Sequence, residues 1–217
     1  MFRNLVAIII STALVMVGYN SNSYYSDATV VVDAKPTQVL VPIELDLERV
    51  STVIEPVDPY AGLDVDQVHC LAKNIYFEAR GESTRGKIAV ANVTMNRVFN
   101  RRYPNTICGV VEQAVYSRWW RDNHDRLVPV KWKCQFSWYC DGKSDNIRLT
   151  KEDGTVNRPN MLAWEKSLEI AIGVVRGHLD DITNGATHYY NPSLADPKWA
   201  AAYQHVAIID NHSFHRM

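Results

Sequence analysis

Apolar residues recur at helical spacing from about residue 63 onward, and this pattern predicts where the folded part of the chain begins. The stretch "LDVDQVHCLAKNIYFEAR" predicts a first helix with Asp64 or Asp66 as its cap and with Gly81 ending it. Its expected inward face consists of Val68, Leu71, Ile75 and Ala79. We therefore expect residues 63–217 to form one folded domain.

Three further helices and two strands follow from the same pattern. A second helix is predicted from Ser83 to about Asn100 and a short third one over "GVVEQAVYS", before an irregular stretch from Arg118 to Pro159. Asn160 is expected to cap the helix "MLAWEKSLEIAIGVVRG", and "GATHYYNP" and "HVAIIDNHSF" read as two short strands. The predicted inward residues of these helices are Ile88, Ala91, Met95, Val98, Leu168, Ala171 and Val175. The prediction is an α+β domain, mostly helical, with a small late β-sheet.

The first 62 residues have a different character. Arg3 precedes an uncharged apolar run from Leu5 to Val17, which makes residues 1–18 a signal peptide or a signal anchor. Residues 19–62 are polar and interrupted by prolines, and they read as an extended linker. We expect export to the periplasm or cell envelope, with the apolar segment either removed or kept as a tether to the inner membrane.

The four cysteines, Cys70, Cys108, Cys134 and Cys140, all follow the apolar run. An even number of cysteines in an exported chain indicates two disulfides, for which three pairings exist. One bridge between Cys134 and Cys140 would close a small loop and leave Cys70 to pair with Cys108. A zinc site is the competing interpretation, but no C-x-x-C pair is present.

Charge and composition narrow the class of partner. A formal net charge of −1 supplies no field for a phosphate backbone, so no nucleic-acid partner is expected. The chain has 6 Trp and 11 Tyr, residue types that fill cores and also line clefts for flat polar ligands such as sugars. Four tryptophans fall between Arg118 and Pro159, where glycan binding competes with simple packing: Trp119, Trp120, Trp132 and Trp138.

Glu78 is the candidate for chemistry. It follows Tyr76 and Phe77 on the apolar side of the first helix, where desolvation raises the pKa of a carboxyl group and keeps it protonated. A protonated carboxyl is what a general acid requires. The alternative is a structural ion pair with Arg80, Arg85 or Arg97.

Five blocks in order resemble the SleB-type cell wall hydrolase family, which is named for a spore-cortex-lytic enzyme. They are "IYFEARGES", "GKIAVANVTMNRV", "YPNTICGVVEQ", "CQFSWYCDG" and "GATHYYNP", and the resemblance runs from about Cys70 to the C-terminus. "IIDNHSF" is similar to the family's I-G-N-H-x-F, with Asp210 where a glycine is usual.

The resemblance implies a peptidoglycan hydrolase with a lysozyme-like, largely helical catalytic domain. No cofactor is expected. The resemblance also implies that Glu78 is the acid of a lytic transglycosylase, which cleaves the glycan strand and leaves 1,6-anhydro sugars. One carboxyl group is enough for that reaction, whereas hydrolysis needs a second, for which Glu82, Asp141 and Asp181 are candidates. For Glu82, capping of the helix that begins near Ser83 is the favoured role.

Other residues are candidates for binding glycan or for supporting the site. The expected lining of a sugar cleft is His188, Tyr189, Tyr190, His212 and the loop residues Gln135, Phe136 and Ser137. Packing of a late strand, for the tyrosines, and a purely structural loop are the alternatives. Asn96 and Arg97 face the Glu78 helix and could orient its carboxyl group, although a structural hydrogen-bonding role is favoured for both.

Two rival functions remain open at the level of sequence. A zinc-dependent N-acetylmuramoyl-L-alanine amidase would draw ligands from Glu78, His69, His188, His205 and His212, although H-E-x-x-H is absent. A non-catalytic envelope protein would bind peptidoglycan through the aromatic cleft without releasing anything. The sequence distinguishes neither a bacterial from a phage origin nor one oligomeric state from another.

Overall fold

The computed structural model describes residues 58–217. The predicted signal segment, and the predicted linker up to residue 57, lie outside the described residues. Residues 59–62, at the end of the predicted linker, form turns that lead into the first helix.

Residues 58–217 form an α+β domain in which helices come first and the larger sheet comes last, as the pattern predicts. The helices are α1 Val65–Ala79, α2 Thr84–Val98, α3 Ile107–Val111, α4 Arg118–His124 and α5 Arg158–Val175. The strands are β1 Ala114–Tyr116, β2 Pro129–Cys134, β3 His188–Tyr190, β4 Gln204–Ile209 and β5 His212–Arg216. Strands β1 and β2 pair as one antiparallel ribbon, and β3, β5 and β4 pair in that order as an antiparallel sheet.

Helix α1 forms as predicted, and Asp64 is its cap. The carboxylate of Asp64 accepts hydrogen bonds from the backbone N–H groups of Asp66 and Gln67, at 3.1 and 3.3 Å. These bonds satisfy donors that have no partner within the helix. The four predicted inward residues are all buried: Val68, Leu71, Ile75 and Ala79.

Helix α2 lies between the helical core and the late sheet. Ala91 packs with α1 and α5, while Ala89 and Val93 pack against Ile209 and Phe214 of the sheet. The small side chains of Ala89 and Ala91 let neighbours approach the helix closely on both of these faces. Because of this position, residues near the end of α2 lie close to the start of β3.

The third helix is shorter than predicted. It ends at Val111, and residues Ala114–Tyr116, which were expected to continue it, form strand β1. The carbonyl of Gln113 accepts a hydrogen bond from the N–H of Gln135 at 2.9 Å, so the chain pairs with β2 after one turn. Tertiary pairing here overrides local helical preference.

The prediction of an irregular stretch from Arg118 to Pro159 is wrong for its first half. That half contains α4, β2 and a 3₁₀ helix at Ser137–Cys140. Strand β2 has no alternation of buried and exposed side chains. Its hydrogen-bonded pairing with β1 stabilises the extended conformation. A period-2 pattern was therefore not available to predict it.

The cap of the last helix was also assigned wrongly. The side chain of Asn157, not of Asn160, accepts a hydrogen bond from the N–H of Asn160 at 3.4 Å, and Pro159 lies in the first turn. Proline is tolerated there because the first helical N–H groups have no partner in the helix. Asn160 lies inside the helix and donates to the carbonyl of Arg148 at 2.9 Å.

The stretch "HVAIIDNHSF" forms a hairpin rather than one strand. Asp210 stands in its turn with φ of 50°, in the left-handed region that aspartate tolerates better than most residues. Its carboxylate accepts hydrogen bonds from the N–H and the hydroxyl of Ser83, at 2.9 and 3.0 Å. The residue that departs from the family pattern thus links the β4–β5 turn to the start of α2.

The two disulfides join Cys70 to Cys108 and Cys134 to Cys140, which is the one of the three possible pairings that closes a small loop. The first ties α1 to α3. The second closes the loop between β2 and the 3₁₀ helix that follows it.

Candidate active site

Glu78 lies in the last turn of α1, and its carboxyl group meets strand β3. The hydroxyl of Tyr189 donates a hydrogen bond to Oε2 of Glu78 at 3.0 Å. The two residues are 111 positions apart in sequence, so the contact depends on the packing of the sheet against α1 and α2.

The surroundings of Glu78 favour its protonated form. Burial raises the pKa of the Glu78 carboxyl above its usual value, while the hydrogen bond from Tyr189 and the charge of Arg97 act in the opposite direction without cancelling it. The last turn of a helix is also the end at which a negative charge is disfavoured. The carboxyl group of Glu78 therefore holds its proton to higher pH than an ordinary glutamate does.

Glu78 forms no ion pair with the residues that the structure describes. Within residues 58–217, ion pairs shorter than 4 Å involve other carboxylates, namely Asp122, Asp141 and Glu169. Of the three arginines considered as partners, Arg80 donates to the hydroxyl of Tyr76 at 3.3 Å, and Arg85 is exposed. Arg97 donates instead to the carbonyl of Thr187 at 2.8 Å. The structural alternative for Glu78 is therefore wrong.

Two cavities meet at Glu78. The larger, of about 400 Å³, is lined by Phe77, Glu78, Arg80, Ser137, Trp138, Asp141, Lys143, Ser144 and Asp145. The smaller, of about 160 Å³, is lined by Glu78, Arg97, Gln135, Phe136, Ser137 and Tyr189. Glu78 and Ser137 line both cavities, so a group bound in either one would lie beside the Glu78 side chain.

An aromatic pair forms one wall of the larger cavity. The rings of Phe77 and Trp138 stack with centroids 4.6 Å apart and an angle of 20° between their planes. The indole N–H of Trp138 donates to Oδ1 of Asn74 at 3.0 Å, and the amide of Asn74 donates to the hydroxyl of Thr94, also at 3.0 Å. Because Asn74 and Thr94 are fully buried, this chain fixes the orientation of the indole ring.

The disulfide loop, which also carries Trp138, contributes three further residues to the two cavities. Gln135, Phe136 and Ser137 line the smaller cavity, and Ser137 also lines the larger. All three were predicted from sequence as part of a sugar cleft. The Cys134–Cys140 bridge closes a loop of a few residues around them, so it limits how far this wall can move.

Strand β3 separates the remaining aromatic candidates. Tyr189 faces Glu78, whereas His188 and Tyr190, one residue to either side, face the opposite way and pack with Trp199. Neither His188 nor Tyr190 lines the two cavities at Glu78. Burial, together with the nearby charges of Arg97 and His215, lowers the pKa of His188 to about 4, so it is neutral at pH 7.

His212 supports the site from behind. Its ring packs edge-on against Tyr189, with centroids 5.3 Å apart, and burial lowers its pKa. The residue does not line either cavity at Glu78. Its position helps to hold the ring whose hydroxyl contacts Glu78.

Of the three candidate second acids, one lies in the site. Asp141 lines the larger cavity with Glu78. Glu82 lies in the turn between α1 and α2 and accepts hydrogen bonds from the amide of Asn211 at 3.2 and 3.3 Å. Asp181 organises the loop before β3, where it accepts from Thr183, Gly185 and Asn96 at 2.6 to 3.0 Å. Burial alone would raise the pKa of Asp181, but these hydrogen bonds lower it.

Sequence reasoning missed Asp145. It lines the larger cavity, and burial together with the charge of Asp141 raises its pKa. No local pattern marks it, since it lies in a loop of exposed polar residues. Phe77, which was noted only as a neighbour of Glu78, proves to be a wall of the cavity.

The histidines named for the amidase alternative lie apart. His69 contacts Tyr60 and Trp164, His205 contacts His215, and His212 contacts Tyr189. Within the described part of the chain, no three side chains of His, Cys, Asp or Glu come close enough to hold a metal ion. The described cysteines are all in disulfides.

The comparisons with known proteins assign the family. A family model described as cell wall hydrolase matches residues 81–215, which is more than half of the chain. This chain belongs to the cell wall hydrolase family. The resemblance inferred from the motifs is thereby confirmed. Glu78 lies just before the matched segment, so its role depends on the geometry described above.

Similar proteins include spore cortex-lytic enzymes. The enzyme of Bacillus cereus is 28% identical over 153 residues, which cover 70% of this chain and 45% of the relative. The enzyme of Bacillus subtilis is 25% identical over 153 residues, covering 70% and 38%. This cell wall hydrolase thus spans less than half the length of these relatives.

Two solved structures are similar in sequence. The catalytic domain of the Bacillus cereus SleB protein is 26% identical with a TM-score of 0.46, and the match covers 71% of this chain and 93% of that one. The catalytic domain of the germination-specific lytic transglycosylase SleB from Bacillus anthracis is 27% identical with a TM-score of 0.48, covering 71% and 98%.

Helices that would be long and apolar enough to cross a membrane are not found in residues 58–217.

Proposed function

We propose that this protein cleaves the glycan strand of peptidoglycan as a lytic transglycosylase, with Glu78 as acid and then as base. Membership of the cell wall hydrolase family supports the substrate. The observation that carries the proposal is the Glu78 carboxyl itself. Burial raises its pKa, it is free of any ion pair within the described residues, and it opens onto two cavities.

In the first step, Glu78 donates its proton to the oxygen that joins two sugars, and the bond from that oxygen to the anomeric carbon breaks. The anomeric carbon belongs to the muramic sugar. In the second step, the Glu78 carboxylate takes the proton of the C6 hydroxyl of this muramic sugar. That oxygen then bonds to the anomeric carbon, which closes a 1,6-anhydro ring. The proton returns to Glu78 and no water is consumed, so one carboxyl group suffices.

The larger cavity has the features that a sugar subsite requires. The Phe77–Trp138 wall offers an apolar face on which a sugar ring can stack. Asp141, Asp145 and Ser144 supply hydrogen-bonding groups around it, and Arg80 and Lys143 supply positive charge. An apolar face with a few polar groups is the usual composition of a small-ligand site.

A hydrolytic glycosidase is the second candidate, and it is favoured by the presence of Asp141 and Asp145 in the same cavity as Glu78. Burial and the charge of Asp141 raise the pKa of Asp145, which favours the protonated form of Asp145 and makes it the weaker candidate for a base. In this version a water molecule replaces the C6 hydroxyl and the product carries a free reducing end.

Mass spectrometry of digested peptidoglycan separates these functions. We expect anhydro-muropeptides, which are lighter by one water than the hydrolysis products. Products with a reducing end would replace the transglycosylase by the glycosidase, and free stem peptides would indicate the amidase instead. Binding without any released product would indicate a non-catalytic envelope protein.

We also infer that the protein is exported and acts in the cell envelope. The apolar sequence near the N-terminus and the two disulfides support this, because disulfides persist in oxidising compartments. Fractionation of cells that express the full chain tests this inference. Full-length protein in the membrane fraction means a retained anchor, and a shortened soluble periplasmic form means a cleaved signal peptide.

A further inference from the structure

Arg97 is a buried cation beside the candidate acid. It lies near the end of α2, its side chain is almost fully buried, and it lines the smaller cavity together with Glu78. Its guanidinium group lies over the ring of Phe136, 4.9 Å from the centroid, and over that of Tyr103 at 5.6 Å. These rings and the hydrogen bond to the carbonyl of Thr187 fix its place.

Among residues 58–217, no carboxylate is in contact with the charge of Arg97. Its Nη1 is buried without a hydrogen-bond partner, and no carboxylate of residues 58–217 lies within 4 Å of the guanidinium. Burying a charge without a partner is costly, so the position calls for an explanation beyond packing. Glu78 is the acidic residue that lines the same cavity as Arg97. The positive charge of Arg97 acts to lower the pKa of the Glu78 carboxyl.

The proposed reaction requires two opposite states of Glu78. The first step needs a protonated carboxyl, which the buried setting favours, and the second needs a carboxylate in the same setting, which burial disfavours. A cation in direct contact would keep Glu78 ionised and prevent the first step. A cation held nearby, but kept off the carboxyl by its bond to Thr187, stabilises the carboxylate when it forms and leaves the resting proton in place.

We propose that Arg97 is a positioning residue that supplies the counter-charge for the Glu78 carboxylate between the two steps of the reaction. This inference rests on the proposed function, since it assumes that Glu78 gives up and regains a proton. The two cavities contain other charged and titratable groups, and the variants of Arg97 described below leave them unsubstituted. These groups are Tyr189 from β3, Arg80 from α1, and Asp141, Lys143 and Asp145 from the loop after the 3₁₀ helix.

The test is the pH dependence of kcat/KM on a soluble glycan fragment of peptidoglycan. Replacement of Arg97 by citrulline keeps the planar shape and the hydrogen bond to Thr187 but removes the charge, so the fold is retained. The alkaline limb of the profile reports the proton on Glu78 in the free enzyme. We expect this limb to move to higher pH by about one unit, and kcat at the optimum to fall at least about tenfold, because the carboxylate loses a nearby opposite charge.

Two further variants separate charge from packing. Arg97→Lys keeps a positive charge, so its alkaline limb should stay closer to that of the wild type than the limb of the citrulline variant. Arg85→Gln removes a charge from an exposed position on the same helix and should leave the profile unchanged. A citrulline variant with a wild-type alkaline limb overturns the inference, and so does an equal displacement of the limb in the citrulline and lysine variants.

Glu78→Gln, assayed beside these variants, separates a failure of the proposed function from a failure of the role of Arg97 alone. If Glu78→Gln remains active, the proposed function fails and the inference fails with it. If Glu78→Gln is inactive while the citrulline variant titrates as the wild type does, only the role of Arg97 is overturned.

Discussion

The hydroxyl of Tyr189 lies 3.0 Å from Oε2 of Glu78 and donates to it. Burial, in the first place, and the nearby Glu78 carboxyl raise the pKa of Tyr189 well above its usual value, so the hydroxyl remains a donor throughout the working pH range. A donor on the carboxyl stabilises its ionised form, the state that must act as base in the second step.

Tyr189→Phe keeps the ring that packs on Phe214 and removes only this donor. We expect kcat to fall roughly tenfold to a hundredfold, the usual worth of a hydrogen bond to a charged group. The alkaline limb of kcat/KM should also move to higher pH. Steady-state kinetics beside Tyr203→Phe, a tyrosine outside both cavities, provides the control, and an unchanged kcat in Tyr189→Phe would contradict the assignment.

The raised pKa of Glu78 has a consequence for stability. The folded protein holds the Glu78 proton to higher pH than the unfolded chain, whose value is near 4.5. The free energy of unfolding therefore falls as pH rises from about 4.5 through the folded-state pKa, and the loss persists above it. Glu78→Gln should remove this loss and be more stable than the wild type at neutral pH, with no gain at pH 4.

Urea unfolding of both proteins at several pH values measures this difference. A wild-type protein that is more stable than Glu78→Gln at neutral pH would mean that the carboxylate is well solvated or paired. That result would contradict the buried setting on which the acid role depends.

His188 should make the fold sensitive to acid in a different range. Its pKa is about 4 in the folded protein against 6.5 for the free group, so the unfolded chain binds the extra proton between these values. The free energy of unfolding should fall as pH drops from about 6.5 to about 4, and His188→Gln should flatten that part of the curve. The exposed His124→Gln serves as the matched control and should leave the slope as it is.

The two disulfides should contribute differently. The Cys70–Cys108 bridge spans 38 positions, and its loss should cost roughly 4 kcal/mol of unfolding free energy, against roughly 2.5 kcal/mol for the six-position Cys134–Cys140 bridge. Removal of the second bridge should nevertheless raise KM more, because it frees the wall formed by Gln135 and Ser137. Urea unfolding and kinetics of the two double Cys→Ser variants measure both effects. An unchanged KM without the Cys134–Cys140 bridge would make the loop a purely structural feature.

Elements with strong local signals were predictable from sequence. Helix α1 carries a complete apolar stripe and a capping aspartate, so both its limits and the unusual position of Glu78 could be read directly. The short loop between Cys134 and Cys140 made their bridge one of three possible pairings, and only the structure decides among them.

Features that depend on distant partners were not predictable. Strand β1 has three residues and exists because Cys134 and Pro129 lie opposite it, which local sequence does not encode. Tyr189 contacts Glu78, and Asp145 lines the larger cavity, because elements far apart in the chain pack together. Asn157 and Asn160 are both capping residue types, and only the path of the preceding chain decides between them.

The central claim is that the Glu78 carboxyl provides the proton that breaks the glycan strand. Its most direct test is the rate at which Glu78→Gln releases soluble fragments from purified peptidoglycan, beside the wild type and the exposed control Glu165→Gln. We expect Glu78→Gln to retain its fold and to lose activity by roughly a thousandfold, while Glu165→Gln keeps the wild-type rate. A folded Glu78→Gln protein that releases fragments at a rate close to that of the wild type would contradict the account.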